Sequence, residues 1–277
     1  MLLAGAAALS GCAGLIQTPF EQAWRRQGFE SEIIEGARFR HRVLYNTAAR
    51  NPGRQPLDVY LDGDGRAWLG PGRPAWDPTT RNPLVIRLMA LDPGPAIYLG
   101  RPCYGDLHTD KSCHPWYWTH GRYAAEVVES LAAALAKIEK RLGPRPLRLI
   151  GYSGGGTMAM LLAARLPRVE TVVTLAGNLD PMAWTTLHGY TPLHGSLQPG
   201  PLPAWICQWH WSGADDREIP PRLIRQALQP GAQVHFEVLP GVDHRHGWEK
   251  IWPRLLRRIA AGCPSGKQKN PRCGGDL

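Results

Sequence analysis

From residue 32 onward, short apolar runs alternate along the chain with longer segments of helical periodicity. The short runs have the length and the aliphatic content of buried strands. The predicted strands are 32–34, 39–45, 57–61, 96–99, 146–150, 171–175, 204–210 and 234–239. The predicted helices are 82–91, 127–142, 157–165 and 248–259. This alternation predicts an α/β fold with a mostly parallel central sheet and helices on both faces.

The two ends of the chain differ in composition from the part that shows this alternation. Residues 1–12 are mostly small and apolar and end at a cysteine, which suggests a signal segment. Residues 13–30 are typical of a linker with one or two helical turns, and residues 263–277 form a tail rich in Pro, Gly and Lys. We therefore expect a single domain at residues 31–262, large enough to bury a substantial core.

Positive charge is spread along the whole chain. The formal net charge is +9 and the sequence pI is about 9.5, yet no run of five or more basic residues occurs. A nucleic-acid-binding protein would concentrate its Lys and Arg residues on one face. We therefore expect a generally basic surface and no nucleic-acid partner.

The segment Leu9-Ser10-Gly11-Cys12 resembles the lipobox of bacterial lipoproteins, in which the cysteine is acylated and becomes the mature N-terminus. The apolar stretch before it is too short to span a bilayer as a helix. Ala13 and Gly14 follow in place of the aspartate associated with inner-membrane retention. The resemblance implies lipidation of Cys12 and an outer-membrane anchor on the periplasmic side of a bacterial envelope. The alternative is a hydrophobic N-terminus with an incidental cysteine.

Five further cysteines bear on the redox environment. Cys103 and Cys113 are ten positions apart in a loop-like segment, and Cys263 and Cys273 have the same spacing in the tail. Both spacings suit disulfides in an oxidising envelope, although four cysteines allow three pairings. Cys207 lies in an apolar run and is expected to be a buried strand residue.

Residues 103–120 also contain three histidines, so a zinc site is an alternative use of the two cysteines there. The segment contains no CxxC or HxxxH pair. We therefore favour the disulfide and expect neither a metal nor a cofactor.

The motif Gly151-Tyr152-Ser153-Gly154-Gly155 lies between a predicted strand and a predicted helix. This context is typical of a nucleophile elbow, in which a tight turn exposes the serine hydroxyl and a Cβ at the flanking glycines would collide with backbone. The helix that follows points its free N–H groups toward that hydroxyl. The alternative is a glycine-rich turn with a serine that has no catalytic role.

The loop Asp62-Gly63-Asp64-Gly65 directly follows another predicted strand. Glycines at this point allow backbone amides to approach a ligand closely. We expect an oxyanion hole here, formed by the N–H of Gly154 together with that of Asp64 or its neighbour Gly63. An ordinary Asp/Gly turn and a cation-binding loop are the alternatives.

Asp216 and His244 each follow a predicted strand farther along the chain. In a parallel sheet such strand ends share one edge, so both side chains could meet Ser153 there. The histidine would accept the serine proton and later donate it to the leaving group, and the aspartate would fix its tautomer.

With a serine, an aspartate and a histidine in this order, the chain resembles the α/β-hydrolase superfamily, and more narrowly a group of proteobacterial envelope hydrolases. The resemblance covers nearly everything after residue 30. Its motifs are YLDGDG (60–65), YLGRPC (98–103), WTHGRYAAEVV (118–128), GYSGG (151–155), AGNLD (176–180), GADDREIPP (213–221) and GVDH (241–244). The resemblance implies Asp216 as the acid instead of Asp215, and His244 as the base instead of His246.

The chain departs from the superfamily in two places. Its oxyanion loop is the acidic DGDG in place of the familiar HGGG, which leaves the donor uncertain by one residue. No long insertion follows the sixth strand of the hydrolase core, so the resemblance implies a small or absent cap.

The resemblance implies a serine hydrolase that cleaves small carboxylic esters or related acyl compounds through an acyl-enzyme. A peptidase or an acyltransferase would use the same three residues, because the pocket and not the triad selects the substrate. A non-catalytic envelope lipoprotein that retains the hydrolase fold is the alternative from a different class. The sequence leaves the oligomeric state open.

Overall fold

A computed structural model describes residues 18–51, 53–231 and 233–263 of the chain. A single sheet of eight strands forms its centre, and a short hairpin lies beside it. The strands of the large sheet are β1 (Glu30–Glu35), β2 (Arg40–Tyr45), β3 (Leu57–Leu61), β6 (Ala96–Leu99), β7 (Leu147–Tyr152), β8 (Val169–Leu175), β9 (Cys207–Gly213) and β10 (Val234–Leu239). The hairpin consists of β4 (Trp68–Gly70) and β5 (Arg73–Pro74).

The strand order in the large sheet is β1-β2-β6-β3-β7-β8-β9-β10. The six strands from β6 to β10 in this order pair in parallel, whereas β2 pairs antiparallel with both of its neighbours. The carboxyl ends of β3, β7, β8, β9 and β10 therefore lie along one edge of the sheet, where ligands bind in open α/β sheets.

Helices cover both faces of this sheet and bury a separate apolar cluster on each. The helices are α1 (Pro19–Arg26), α2 (Leu84–Ala90), α3 (Ala125–Leu142), α4 (Gly154–Ala163), α5 (Pro181–His188), α6 (Pro221–Ala227) and α7 (Trp248–Ala260). On one face α3, α4 and α6 pack against Val59 and Leu149. On the other, α1, α2 and α7 pack against Tyr60 and Ile150. Successive strand residues thus serve opposite cores, as the two-residue repeat of a strand requires.

The predicted α/β fold with a mostly parallel sheet is confirmed, and the predicted strands and helices lie close to their observed positions. Two helices were not predicted, α5 and α6, because they span only eight and seven residues, too few for a helical periodicity to show. The predicted boundary between linker and domain at residues 30 and 31 is also later than the observed one. Phe20 and Trp24 of α1 are buried in the second core, so the fold includes this helix.

Two disulfides are present among the described residues. Cys103 and Cys113 are joined, as their spacing suggested. Cys207 and Cys263 form the second disulfide, so the expected pairing of Cys263 with Cys273 is wrong. The reason is geometric: α7 runs back along the sheet and ends beside β9, which brings Cys263 next to a strand residue 56 positions earlier. Cys273 and Cys12 lie outside the described residues.

The segment between β8 and β9, residues 176–206, contains one helix of eight residues, α5. It is hydrogen-bonded to the segment that precedes α3: the Leu197 N–H donates to the Tyr123 carbonyl, and the Ser196 hydroxyl accepts from the Tyr123 N–H and donates to the His120 carbonyl. In the described ranges, no helix combines the length and the apolar character that a membrane span requires.

Candidate active site

Ser153 lies at the turn between β7 and α4 with a φ of 53°, a backbone value that residues other than glycine rarely adopt. The turn depends on its glycines. A Cβ at Gly151 would lie 2.2 Å from the Gly155 carbonyl oxygen, and one at Gly155 would lie 2.2 Å from the Leu61 carbonyl oxygen. Helix α4 can therefore pack closely against β7 and β3, and the serine side chain points out over the sheet edge.

Asp216, His244 and Ser153 form a continuous hydrogen-bonded chain at this edge. His244 Nε2 lies 3.1 Å from Ser153 Oγ, and His244 Nδ1 lies 2.9 Å from Asp216 Oδ2. With the proton on Nδ1, the imidazole donates to the carboxylate and Nε2 can accept the serine proton. The Asp216 side chain is fully buried and that of His244 is 14% exposed, so the imidazole reaches solvent and the carboxylate does not.

The backbone of the β9–α6 loop holds the Asp216 carboxylate in place. The N–H groups of Glu218 and Ile219 both donate to Asp216 Oδ1, at 2.9 and 2.8 Å, and leave Oδ2 for the imidazole. Asp215, the neighbouring candidate, is exposed. The structure therefore brings Asp216 to the histidine.

His244 and His246 have different surroundings although only one residue separates them. His246 is 79% exposed on its side chain and bonds to Asp243 on the surface. The backbone carbonyl of His244 instead accepts bonds from the Tyr152 hydroxyl at 2.9 Å and the Trp248 indole N–H at 3.3 Å. These two aromatic residues hold the His244 loop against the nucleophile turn.

The predicted oxyanion loop lies directly beside the nucleophile. A Cβ at Gly63 would lie 3.2 Å from Ser153 Cβ, so the loop backbone passes next to the serine. The Gly63 N–H donates to Asp62 Oδ1 at 2.8 Å, which excludes Gly63 as an oxyanion donor in this arrangement. Among the described residues, the N–H groups of Asp64 and Gly154 donate to no protein acceptor. Asp64 and Gly154 therefore remain the candidate pair of donors.

The Asp64 carboxylate is enclosed by cationic and phenolic donors. Arg101 Nη1 donates to Oδ1 at 2.7 Å, Arg122 Nη1 donates to Oδ2 at 2.9 Å, and the Tyr123 hydroxyl lies within 2.9 Å of both oxygens. Burial acts to raise the pKa of Asp64, but the charges of Arg122 and Arg101 outweigh it and hold this pKa below its ordinary value. The Asp64 carbonyl is also bound, by the Tyr104 hydroxyl.

Asp62, two residues before, has the opposite electrostatic setting. Its carboxylate is buried and accepts from the Gly63 N–H, and burial raises its pKa to about 7 against the opposing effects of that N–H and of Arg101. It lines a cavity of about 20 Å³ together with Tyr98 and Thr79, which is room for about one water molecule. Asp62 therefore begins the predicted oxyanion loop with a carboxyl pKa well above the ordinary value.

Arg101, Arg122 and Tyr123 were not predicted as site residues. They lie in the motifs YLGRPC and WTHGRYAAEVV, and the resemblance to hydrolases implies no role for the arginines of these motifs. A carboxylate in a buried loop requires a compensating charge, so the acidic loop itself indicated that a cationic side chain lies beside it in the fold. Only the folded chain shows which arginines supply that charge.

The site combines the side chains and backbone groups that acyl transfer would require. Across the described ranges, no cluster of three or more His, Cys, Asp or Glu side chains could hold a metal ion. Cys103 and Cys113 of the His-rich segment are joined to each other, so neither offers a thiolate. The arrangement instead supplies a serine, a histidine to move its proton, an aspartate to orient the histidine, and free backbone N–H groups beside the serine.

Comparisons with known proteins bear on the fold and on the segment around Ser153. Residues 107–175, which include Ser153, match the family model of the thioesterase domain. No curated protein matches the chain.

Several solved structures share the fold at low sequence identity. An α/β serine hydrolase without a lid from Xanthomonas campestris matches with a TM-score of 0.54 and 15% identity, over 86% of this chain and 96% of that one. A serine hydrolase homologue from Coxiella burnetii matches with a TM-score of 0.53 and 17% identity, over 84% and 96%. A Thermus thermophilus protein matches with a TM-score of 0.56 and 19% identity, over 86% and 99%. By its strand order, its nucleophile turn and these matches, the chain has the α/β-hydrolase fold.

Proposed function

We propose that the protein is a serine hydrolase that cleaves carboxylic esters through an acyl-enzyme. The observation that supports this most directly is the hydrogen-bonded chain from Asp216 through His244 to Ser153. The strained backbone of Ser153 is explained if the turn serves to present its hydroxyl to a histidine that a buried carboxylate orients.

In the first half-reaction, Ser153 Oγ attacks the acyl carbon and its proton passes to His244 Nε2. The resulting imidazolium is stabilised by Asp216 and donates that proton to the departing alkoxide. The N–H groups of Asp64 and Gly154 stabilise the negative charge that develops on the carbonyl oxygen. In the second half-reaction, His244 takes a proton from water as the water oxygen attacks the acyl carbon, and it then donates that proton to Ser153 Oγ as the bond to the acyl group breaks and the carboxylic acid leaves.

Thioesters are a second candidate substrate class, because residues 107–175 match the thioesterase domain. The matched region includes Arg122, Tyr123 and Ser153, so it covers the nucleophile and part of the support for the oxyanion loop. Peptides, or an acyl acceptor other than water, would require only a different pocket around the same residues.

Replacement of the nucleophile tests the proposal. We expect Ser153→Ala to lower turnover of short-chain oxygen esters and thioesters by about 10⁴-fold or more, since the members of a triad act as a unit. The measurement is steady-state hydrolysis over a panel of both ester classes, with the thermal unfolding midpoint recorded for each variant. His244→Ala should have a similar effect, and the matched control His246→Ala should retain activity. Unchanged turnover in the Ser153 variant would contradict the proposal.

We also propose that the protein resides in a bacterial cell envelope, anchored by lipid on Cys12. The two disulfides support an oxidising compartment. The net charge of +9 is compatible with a location beside anionic lipid headgroups.

A further inference from the structure

The Asp64 side chain lies directly against the helix end that would receive the oxyanion. A Cβ at Gly154 would lie 2.2 Å from Asp64 Oδ1 and 2.5 Å from the Tyr123 hydroxyl, so the carboxylate packs on the first residue of α4. Gly154 is also one of the two candidate oxyanion donors. A buried negative charge therefore lies next to the place where the reaction would create another.

An isolated carboxylate at this position would oppose catalysis. Two like charges a few ångströms apart in a buried site repel strongly, because little water screens them. Such a carboxylate would raise the free energy of the tetrahedral intermediate relative to the bound ester, and the benefit of the N–H donors would be reduced.

Arg101 and Arg122 reverse the sign of this charge. Each donates to a different Asp64 oxygen, and both guanidinium groups are almost completely buried, at 3% and 5% side-chain exposure. Within this cluster, two arginines and one carboxylate leave one net positive charge, and Asp62, whose pKa burial raises to about 7, is mostly protonated below that pH. Since the arginines are buried, this charge acts through Asp64 and Gly154 and does not contact the substrate.

Both arginines are also fixed to the protein backbone. Arg101 Nη2 donates to the Arg122 carbonyl and Arg122 Nε donates to the Thr119 carbonyl, each at 2.6 Å. The Cys103–Cys113 disulfide closes the same segment. The cluster is therefore rigid, and its charges do not need to reorganise during the reaction.

We propose that Arg101 and Arg122 are positioning residues that hold the Asp64 carboxylate against Gly154 and give the oxyanion hole a net positive charge. This inference rests on the proposed function, because it assigns these residues to the same acyl-transfer site. The positive charge of the two arginines would allow an acidic DGDG loop to support oxyanion chemistry.

A second substitution that restores the net charge removed by a first one tests this inference. Arg122→Met leaves one arginine and one carboxylate, with no net charge. We expect it to slow the reaction of a fluorophosphonate probe with Ser153 by about 10- to 100-fold, since the phosphoryl oxygen takes the place of the oxyanion. Adding Asp64→Asn restores the net positive charge, and we expect the double variant to regain most of the lost rate. In an ester assay the same changes should appear in kcat, with KM unchanged.

The matched control is Arg148→Met, which removes an arginine from the buried carboxylate of Asp58 at the opposite end of β7. It should lower stability and leave the probe reaction of folded protein unchanged. If Arg122→Met does not fold, Arg122→Gln also removes the charge and keeps hydrogen-bond donors, and it should give the same loss and the same rescue.

A merely structural role predicts a different pattern. The inference is overturned if Arg122→Met and Arg122→Gln react as fast as the wild type, or if Asp64→Asn fails to restore the rate. Wild-type protein that reacts with the probe at Ser153 but hydrolyses no ester contradicts the ester assignment alone, and the rescue remains measurable. Wild-type protein that does not react at Ser153 overturns both.

Discussion

At the scale of single residues, Asp62 and Asp64 show how position decides the properties of one side-chain type. Both are buried in the same loop. Asp64 has two guanidinium partners and a lowered pKa, whereas Asp62 has one backbone N–H as its hydrogen-bond donor and a pKa raised to about 7. Coulomb attraction exceeds the cost of burial in the first case and not in the second.

The raised pKa of Asp62 predicts a stability that depends on pH. Between about pH 4 and pH 7 the folded protein binds a proton at Asp62 that the unfolded chain has lost, so stability falls as pH rises through this window. Asp62→Asn removes this loss and can still accept the Gly63 N–H bond. We expect the variant to exceed the wild type in free energy of unfolding by about 2 to 4 kcal/mol at about pH 8, and by little at about pH 4.

Urea unfolding at both pH values measures this difference. Asp64→Asn is a comparison of opposite sign: a carboxylate with a lowered pKa contributes stability that is lost only below about pH 4, so this variant should be less stable than the wild type at both pH values. Parallel pH profiles for the wild type and the Asp62 variant would contradict the assignment.

At the scale of elements, the two disulfides act on different parts of the site. Cys103–Cys113 closes the loop segment that begins just after Arg101, whereas Cys207–Cys263 ties the end of α7 to β9 on the other core. The first supports the oxyanion loop through the arginines. The second supports the helix that follows His244, and it closes a much longer loop of the chain.

These differences predict separable effects of cysteine removal. Cys207→Ala/Cys263→Ala should lower the free energy of unfolding by about 4 kcal/mol, and Cys103→Ala/Cys113→Ala by about 3 kcal/mol, because the entropy of loop closure grows with loop length. Guanidinium chloride unfolding measures both values.

The two cysteine pairs should also differ in activity. The Cys103/Cys113 variant should react more slowly with the fluorophosphonate probe at Ser153, because its loop positions Arg101 and Arg122. The Cys207/Cys263 variant should keep the wild-type rate while folded. The reverse order of probe rates would show that α7, and not the arginine loop, controls the site.

At the scale of the whole molecule, all the proposed reacting groups lie at one edge of one sheet, where the His244 side chain is 14% exposed to solvent. An enzyme held at a membrane by an N-terminal lipid would have this edge available to acyl compounds near the surface. The net charge of +9 would add attraction to anionic headgroups.

The proposed anchor predicts a change in location. Cys12→Ser should abolish incorporation of an alkyne fatty acid and move the protein from the membrane fraction to the soluble fraction of the producing bacterium, since a single residue carries the lipid. Cys273→Ser is the matched control and should leave both labelling and fractionation unchanged. Labelling of the Cys12 variant at the wild-type level would contradict lipidation at this residue.

The sequence by itself determined the alternation of strands and helices and the glycine turn around Ser153, and it placed Asp216 and His244 just after strands. These features depend on local patterns: apolar periodicity, glycines around a tight turn and polar residues just after strands. The helices α5 and α6 were missed because each makes about two turns, too short for a helical periodicity to show.

Only the tertiary structure decided which groups meet across long stretches of chain. It paired Cys207 with Cys263, gave the Gly63 N–H to Asp62, and brought Arg101 and Arg122 to Asp64 from 37 and 58 positions away. The physical reason is that a buried charge or thiol takes whichever partner the packing of distant elements places beside it. Local periodicity fixes the elements, and it carries no information about that choice.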